Sequence, residues 1–160
     1  MGDWTPFFAA QVGASAALTG LVFVALSINL ASIIAAPQLV HRAAEALIVL
    51  VAPVLVGLAV LVPWSSRRSL GIGVLVVGVV AAAFVNTLLL RGRVHARGRP
   101  VREFRIRVTA AELAVLPAVV GGVMLIAGSV HGLRAVALGT AFSIAAGMVD
   151  AWVLLVEILR

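Results

Sequence analysis

The chain has 160 residues, of which 63% are hydrophobic and only 11% charged, and its net charge is +6. Soluble domains are about half apolar and about a quarter charged, so this composition excludes a water-soluble fold. All 12 basic residues are arginine and cysteine is absent, which excludes disulfides and thiolate metal sites. At about 20 apolar residues for each membrane span, residues 1–160 are expected to form a single transmembrane domain.

The apolar segments predict an all-α, polytopic integral membrane bundle with five transmembrane helices. Pro37 ends the first segment, and Pro53 is expected to kink the second. A re-entrant hairpin formed by the last two segments, or an interfacial second segment, is the alternative architecture. The predicted spans are residues 6–35, 42–62, 70–90, 108–130 and 133–158.

One strongly polar stretch, residues 91–107, separates the third and fourth spans. Arginines concentrate on the cytoplasmic side of membrane proteins, so this loop is expected inside, with the N-terminus outside and the C-terminus inside. The arginine-only, alanine- and valine-rich composition is typical of a GC-rich bacterial genome, which predicts a bacterial plasma membrane. Seven arginines are predicted to contact anionic lipids of the inner leaflet, and nucleic-acid binding is not expected: Arg91, Arg93, Arg97, Arg99, Arg102, Arg105 and Arg107.

Apolar side chains recur between those arginines, at Val101, Phe104 and Val108. This spacing gives a helix one apolar edge. We therefore expect a short amphipathic helix lying on the inner membrane surface.

Ionisable and amide side chains inside spans are costly and usually face a bundle interior or water. The five-span topology places five of them at a common depth near the inner leaflet: Asp150, Glu112, Asn86, Asn29 and Glu45. For Glu45 and Glu112 the favoured interpretation is pairing with arginines at the helix ends. Asp150 lies about two turns deeper, so it needs a hydrogen-bonding partner or forms a cation or proton site.

The last span carries small residues every fourth position, at Gly139, Ser143 and Gly147, on the face that leads to Asp150. Such a stripe permits close approach of another helix. It predicts either a packing seam, whose aspartate bonds to a neighbouring amide, or the lining of an ion site.

The first span has a polar stripe that predicts either a pore-lining helix with a hydrophobic gate or an ordinary packed helix. Gly13 and Gly20 lie on its opposite side and are candidate packing positions. The pore-lining candidates are Gln11, Ser15, Thr19, Val22 and Leu26.

Residues 4–30 have the sequence WTPFFAAQVGASAALTGLVFVALSINL. This segment resembles the start of small, largely uncharacterised membrane proteins of actinobacterial-type genomes, some of which are loosely labelled modulators of the FtsH protease. Residues 15–26 are also similar to the pore helix of Orai-type calcium channels, although that family has four spans and a cytoplasmic N-terminus. Neither resemblance implies catalytic residues.

Motifs typical of hydrolases, metalloproteases and nucleotide-binding enzymes are missing from the sequence, so no catalytic residue, metal or cofactor is expected. The leading functional prediction is a homo-oligomeric pore that conducts ions or protons. The first alternative is a non-conducting accessory or scaffold subunit that modulates another membrane protein, such as a membrane protease. An intramembrane enzyme that uses Asp150 and Glu112 is the least favoured.

Overall fold

The computed structural model describes residues 3–95 and 101–158, and within them every regular element is helical. Five of the helices are long and apolar enough to cross a membrane, which confirms the predicted all-α bundle of five transmembrane helices. The helices are α1 (Thr5–Ile28), α2 (Leu30–Ala35), α3 (Pro37–Leu61), α4 (Arg67–His95), α5 (Val101–Ile126) and α6 (Gly132–Ile158).

The four helices α3 to α6 form a ring in which α3 packs on α4, α4 on α5, α5 on α6, and α6 again on α3. Helix α1 lies outside this ring, where it packs mainly against α3 and touches α6, and the short helix α2 also contacts α3. The bundle therefore consists of a four-helix ring and one peripheral spanning helix.

The first span was predicted to be one continuous helix over residues 6–35. This prediction is wrong, because the helix is interrupted at Asn29. The Asn29 amide donates to the carbonyl of Ala25 at 2.8 Å, and its backbone leaves the helical region at φ −101° and ψ 17°. Asparagine side chains compete with the backbone for such carbonyls. The chain therefore restarts at Leu30 as the separate helix α2.

Prolines set both ends of α3. Ala36, just before Pro37, is extended, and Pro37 occupies the first turn, so the helix begins five residues earlier than the predicted residue 42. Proline has no backbone N–H, but an N–H in the first turn has no acceptor within the helix, so proline loses no hydrogen bond there. At the other end Val62 is extended before Pro63, because a residue before proline avoids the helical region.

A reciprocal serine pair starts α4 at Arg67, ahead of the predicted residue 70. The backbone N–H of Ser69 donates to Ser66 Oγ at 3.1 Å, and the N–H of Ser66 donates to Ser69 Oγ at 3.2 Å. Each side chain thus satisfies a backbone donor that the first helical turn leaves open, as in a capping box.

The arginine-rich segment is more helical than predicted. Helix α4 continues to His95, and α5 begins at Val101 and runs without a break into its membrane-spanning part, so Val101–Val108 is not a separate surface helix. Helix α5 ends at Ile126 instead of the predicted residue 130. Gly128, at φ 82°, closes it with bonds from Ser129 N to Met124 O (2.9 Å) and from its own N to Leu125 O (3.0 Å), the pattern of a Schellman motif.

Glycines let the ring helices approach closely. A Cβ added to Gly122 would lie 2.8 Å from the backbone nitrogen of Leu75, and one added to Gly71 would lie 2.9 Å from the carbonyl oxygen of Gly122. Small residues bring membrane helices together because van der Waals contact, not water exclusion, stabilises their packing. The interface of α4 and α5 is therefore closed by backbone contact.

Candidate functional site

A proline and a serine create the first polar contact inside the bundle. Pro53 has no N–H, so the carbonyl of Val49, four residues earlier in α3, lacks its helical donor. The hydroxyl of Ser143 on α6 donates to this carbonyl at 2.6 Å, and Ser143 is 1% exposed. Neighbouring hydroxyls commonly satisfy carbonyls that proline frees in membrane helices. The Ser143 hydroxyl of α6 thus takes the place of the N–H donor that Pro53 of α3 lacks.

Gln11 provides the matching contact between α1 and α3. Its Nε2 donates to the carbonyl of Pro53 at 2.9 Å and to Ser15 Oγ at 3.0 Å. Its Oε1 is buried and has no hydrogen-bond partner. This oxygen lies against Gly57, where an added Cβ would meet it at 2.5 Å. Gly57 therefore makes room for the Gln11 amide, which joins the peripheral helix to the ring.

The polar stripe of α1 faces the rest of the chain. Gln11, Ser15 and Leu26 are buried, while Thr19 and Val22 are half-buried. Thr19 donates to the carbonyl of Ser15 at 2.7 Å, within its own helix. In a single chain the pore-lining candidates therefore form the contact surface of α1, and the opposite side is open, since a Cβ added to Gly13 or Gly20 would meet nothing within 4 Å.

The stripe of small residues on α6 is likewise occupied within the chain. An added Cβ would lie 2.6 Å from Pro117 Cβ at Gly139, and 2.6 Å from Leu50 side-chain carbons at Gly147. Together with Ser143, these glycines form the surface of α6 that packs on α3 and α5.

The intramembrane polar candidates all lie toward the end of the bundle that holds the α4–α5 connection, which we call the arginine-rich end. Glu45 is 3% exposed, on the α3 face whose Val49 packs against α4 and α5. Asp150 and Glu112 are half-buried, and neither Glu45 nor Asp150 lacks a partner. Asn86 donates to its own helix at Ala82 O (3.0 Å), as Asn29 does in α1.

Arginines are distributed unevenly between the two ends. Within the described helices, the arginine-rich end holds six arginines and the opposite end, the N-terminal end, holds three, as the helix bounds require. The six are Arg42, Arg91, Arg93, Arg102, Arg105 and Arg107, and the three are Arg67, Arg68 and Arg134. Arg102 and Arg105 are exposed. The predicted lipid contacts at Arg97 and Arg99 lie outside the described residues, as do the side chains of Arg93 and Arg107.

The cavity at the centre of the ring is small. It has a volume of about 10 Å³ and is lined by residues of α3 to α6, including Pro53, Thr140 and Ser143. A single water needs roughly 10–15 Å³ measured in this way. This space is therefore about the size of one water molecule.

A much larger crevice of about 520 Å³ opens at the N-terminal end, where the ends of all five spanning helices contribute. Its residues come from five separate segments, so no pattern in the sequence predicted it. The clue in the sequence was the polar and aromatic residues at predicted helix ends. Its lining combines Asp3, Trp4, Thr5, Trp64, Ser65, Ser66, Arg67 and Ser129 with Val60, Leu61, Val62, Leu70, Leu125, Val130 and Leu133.

Five long apolar helices around a closely packed interior define a multi-pass α-helical membrane protein. Comparison with protein-family models, curated proteins and solved structures found no match for this chain. The resemblance of residues 4–30 to FtsH-modulator-type proteins therefore stays a prediction.

Proposed function

We propose that this protein is a non-conducting accessory subunit of the bacterial plasma membrane, which packs against another membrane protein. The observation that carries this proposal is that both faces suited to line a pore are used inside the chain. The Gln11 side of α1 packs on α3, and the Gly139–Gly147 side of α6 packs on α3 and α5. A second protein chain therefore contacts other surfaces of this protein.

The outer side of α1 is the surface that we assign to the partner. Only Phe8, Gln11, Ser15 and Leu26 of this helix are buried. Its remaining surface includes Gly13 and Gly20, which have open space around them. Small residues on a membrane helix permit close packing of another helix. At the arginine-rich end, Arg102 and Arg105 are available to anionic lipid or to acidic groups of the partner.

Ion flux separates this proposal from a homo-oligomeric pore. Protein reconstituted into liposomes is expected to give no ion or proton flux above protein-free vesicles, and Asp150→Asn is expected to leave that baseline unchanged. A flux that Asp150→Asn abolishes would overturn the proposal and support the pore. Native-like lipid discs extracted from the membrane then show whether the chain is isolated as a ring of identical subunits or with a different protein.

The absence of natural cysteines permits a direct test of the α1 surface, because each introduced cysteine is unique. Gly20→Cys on α1, labelled with a thiol-reactive photocrosslinker, is expected to crosslink in native membranes to one defined partner, identified by mass spectrometry. Val76→Cys, on the exposed side of α4, is the matched control. Equal crosslinking from both positions, or crosslinking only to a second copy of the chain, would contradict an accessory subunit that uses α1.

A further inference from the structure

The crevice at the N-terminal end has the dimensions of a small-molecule site. Its volume of about 520 Å³ lies within the range of roughly 300–1,000 Å³ that is typical of ligand pockets. Small-molecule sites between the helices of a bundle are common. The space at the centre of the ring is some fifty times smaller.

The crevice is lined by apolar side chains, which we call the floor, and by polar and tryptophan side chains, which we call the rim. Its floor includes Leu61, Leu70, Leu125 and Leu133, from four different helices. Leu61, Leu70 and Leu133 also pack against a buried apolar cluster of the bundle. Among the described residues, the rim includes one acid, one base, three serines and two tryptophans. Tryptophan is enriched where a membrane meets water, which places the rim at the level of lipid head groups. An occupant therefore has a polar head and an apolar body.

The basic side of the rim is built around Arg67. Its Nη1 donates to the carbonyl of Gly128 at 3.2 Å, which ties the start of α4 to the turn after α5. A guanidinium carries five N–H donors and can bind several acceptors at once, so a structural bond and a ligand can share it. Ser66 and Ser129 also line the crevice and add hydroxyl groups. This combination of guanidinium and hydroxyls suits a phosphate group.

Asp3 and Trp64 of the rim are also held by hydrogen bonds. Asp3 Oδ1 accepts a bond from the backbone N–H of Thr5 at 3.0 Å, and its bonds to Thr5 lower the pKa of this carboxyl, so it stays ionised. Trp64 Nε1 donates to the carbonyl of Ala59 at 2.7 Å, and its ring lies over Gly73, where an added Cβ would meet it at 2.6 Å. Carboxylates and the faces of tryptophan rings both attract ammonium groups.

We propose that this crevice binds a zwitterionic head group in which an ammonium and a phosphate are joined, as in phosphoethanolamine. The phosphate lies at Arg67 and the serines, and the ammonium lies at Asp3 with Trp4 and Trp64. Among the described lining residues, the one acid and the one base balance in charge, which matches a zwitterion better than an anion. The apolar floor accommodates acyl chains, so a membrane lipid is the expected source of this head group, and a free zwitterion is the other.

Tryptophan fluorescence provides the test, because Trp4 and Trp64 line the crevice and the third tryptophan, Trp152, lies in the other half of α6. In a Trp152→Phe background, held in nanodiscs of phosphatidylglycerol, dihexanoyl-phosphatidylethanolamine is expected to produce a saturable shift in emission. Phosphoethanolamine without acyl chains, and phosphatidylglycerol with the same short chains, are titrated in parallel. Tighter binding of the acylated zwitterion assigns a lipid, and equal binding of phosphoethanolamine assigns a soluble zwitterion.

Substitutions then identify the groups that bind. Arg67→Gln and Asp3→Asn are each expected to weaken binding about tenfold, the change expected for loss of a hydrogen bond to a charged group. Arg68→Gln removes the same charge from a neighbouring position outside the crevice lining and is expected to bind normally. Arg67→Lys, which keeps the cation, is expected to restore part of the affinity, and circular dichroism checks that each variant is folded.

Two results would overturn the proposal. One is an equal response to the short-chain phosphatidylglycerol, which shows that the head group is not recognised. The other is unchanged binding in folded Arg67→Gln and Asp3→Asn proteins, which shows that the emission shift comes from partitioning into the bilayer.

Discussion

The ring of α3 to α6 and the peripheral helix α1 use glycine in opposite ways. In the ring, Gly71 and Gly122 bring the backbones of α4 and α5 into contact, and a methyl group has no room at either position. In α1, Gly13 and Gly20 face open space. Glycine therefore permits close packing of α4 and α5 inside the ring, and in α1 it leaves an open surface that another helix can approach. Substitutions at matched positions can separate these two uses.

Gly122→Ala is expected to have the largest effect. The added methyl would lie 2.8–2.9 Å from backbone atoms of Leu75, which cannot rotate away, so α4 and α5 must separate. Overpacking of this kind typically costs about 1–3 kcal/mol. Thermal unfolding in nanodiscs measures it, and an unchanged transition would show that the two helices are not packed by their backbones.

Gly57→Ala is expected to have a smaller effect that is confined to α1. The methyl would meet Gln11 Oε1 and Val12 Cγ2, both at 2.5 Å, but these are side-chain atoms that can move. We expect α1 to loosen from the ring while α3 to α6 keep their packing. Hydrogen exchange measured by mass spectrometry should show faster exchange in α1 alone, and uniform acceleration across all helices would contradict this view.

Ser143→Ala is expected to lower stability by less than the two glycine substitutions described above. It removes the donor to the Val49 carbonyl that Pro53 leaves open, and hydrogen bonds between membrane helices contribute about 0.6 kcal/mol on average and at most roughly 1.7 kcal/mol. Thr87→Ala is the control, because its hydroxyl bonds only to Ala83 O in its own helix. The double variant Pro53→Ala, Ser143→Ala should recover stability, since alanine in place of the proline restores the backbone donor.

Gly20→Ala is expected to change stability in the opposite direction. No atom obstructs the methyl, and alanine favours a helix over glycine by up to about 1 kcal/mol. The isolated protein should therefore become slightly more stable, whereas Gly20→Leu should reduce copurification of a partner that packs on this surface. Loss of stability in the isolated chain would show that α1 has a contact on this side within the protein.

Acid should have the smallest effect, limited to the start of α1. The bonds from Thr5 lower the pKa of Asp3, so the ionised form stabilises this end of the helix. A carboxyl whose pKa is lower in the folded state than in the unfolded state stabilises the fold at pH values above the unfolded-state pKa. This stabilisation is lost as the pH falls through the folded-state pKa. Exchange of the first α1 amides should therefore increase at strongly acidic pH, and Asp3→Asn should remove this dependence.

Much of the architecture follows from the sequence alone. Five apolar segments separated by proline, glycine and arginine were enough to predict five helices, since each segment must satisfy its own backbone bonds in lipid. The exact helix ends were harder to predict, because the break at Asn29 depends on one side-chain bond and the closure at Gly128 on two backbone bonds. The extension of α4 and α5 into the arginine-rich segment shows that polarity does not by itself end a helix.

Only the tertiary structure shows which face of each helix packs inside the chain. The periodicity of α1 distinguished a polar side from a side of small residues, but either side is suited to pack or to line a pore. In the folded chain, two carbonyls of α3 accept hydrogen bonds from Gln11 of α1 and Ser143 of α6, so these sides of the two helices pack on α3. The crevice likewise exists only where five chain segments meet, so no single stretch of sequence describes it.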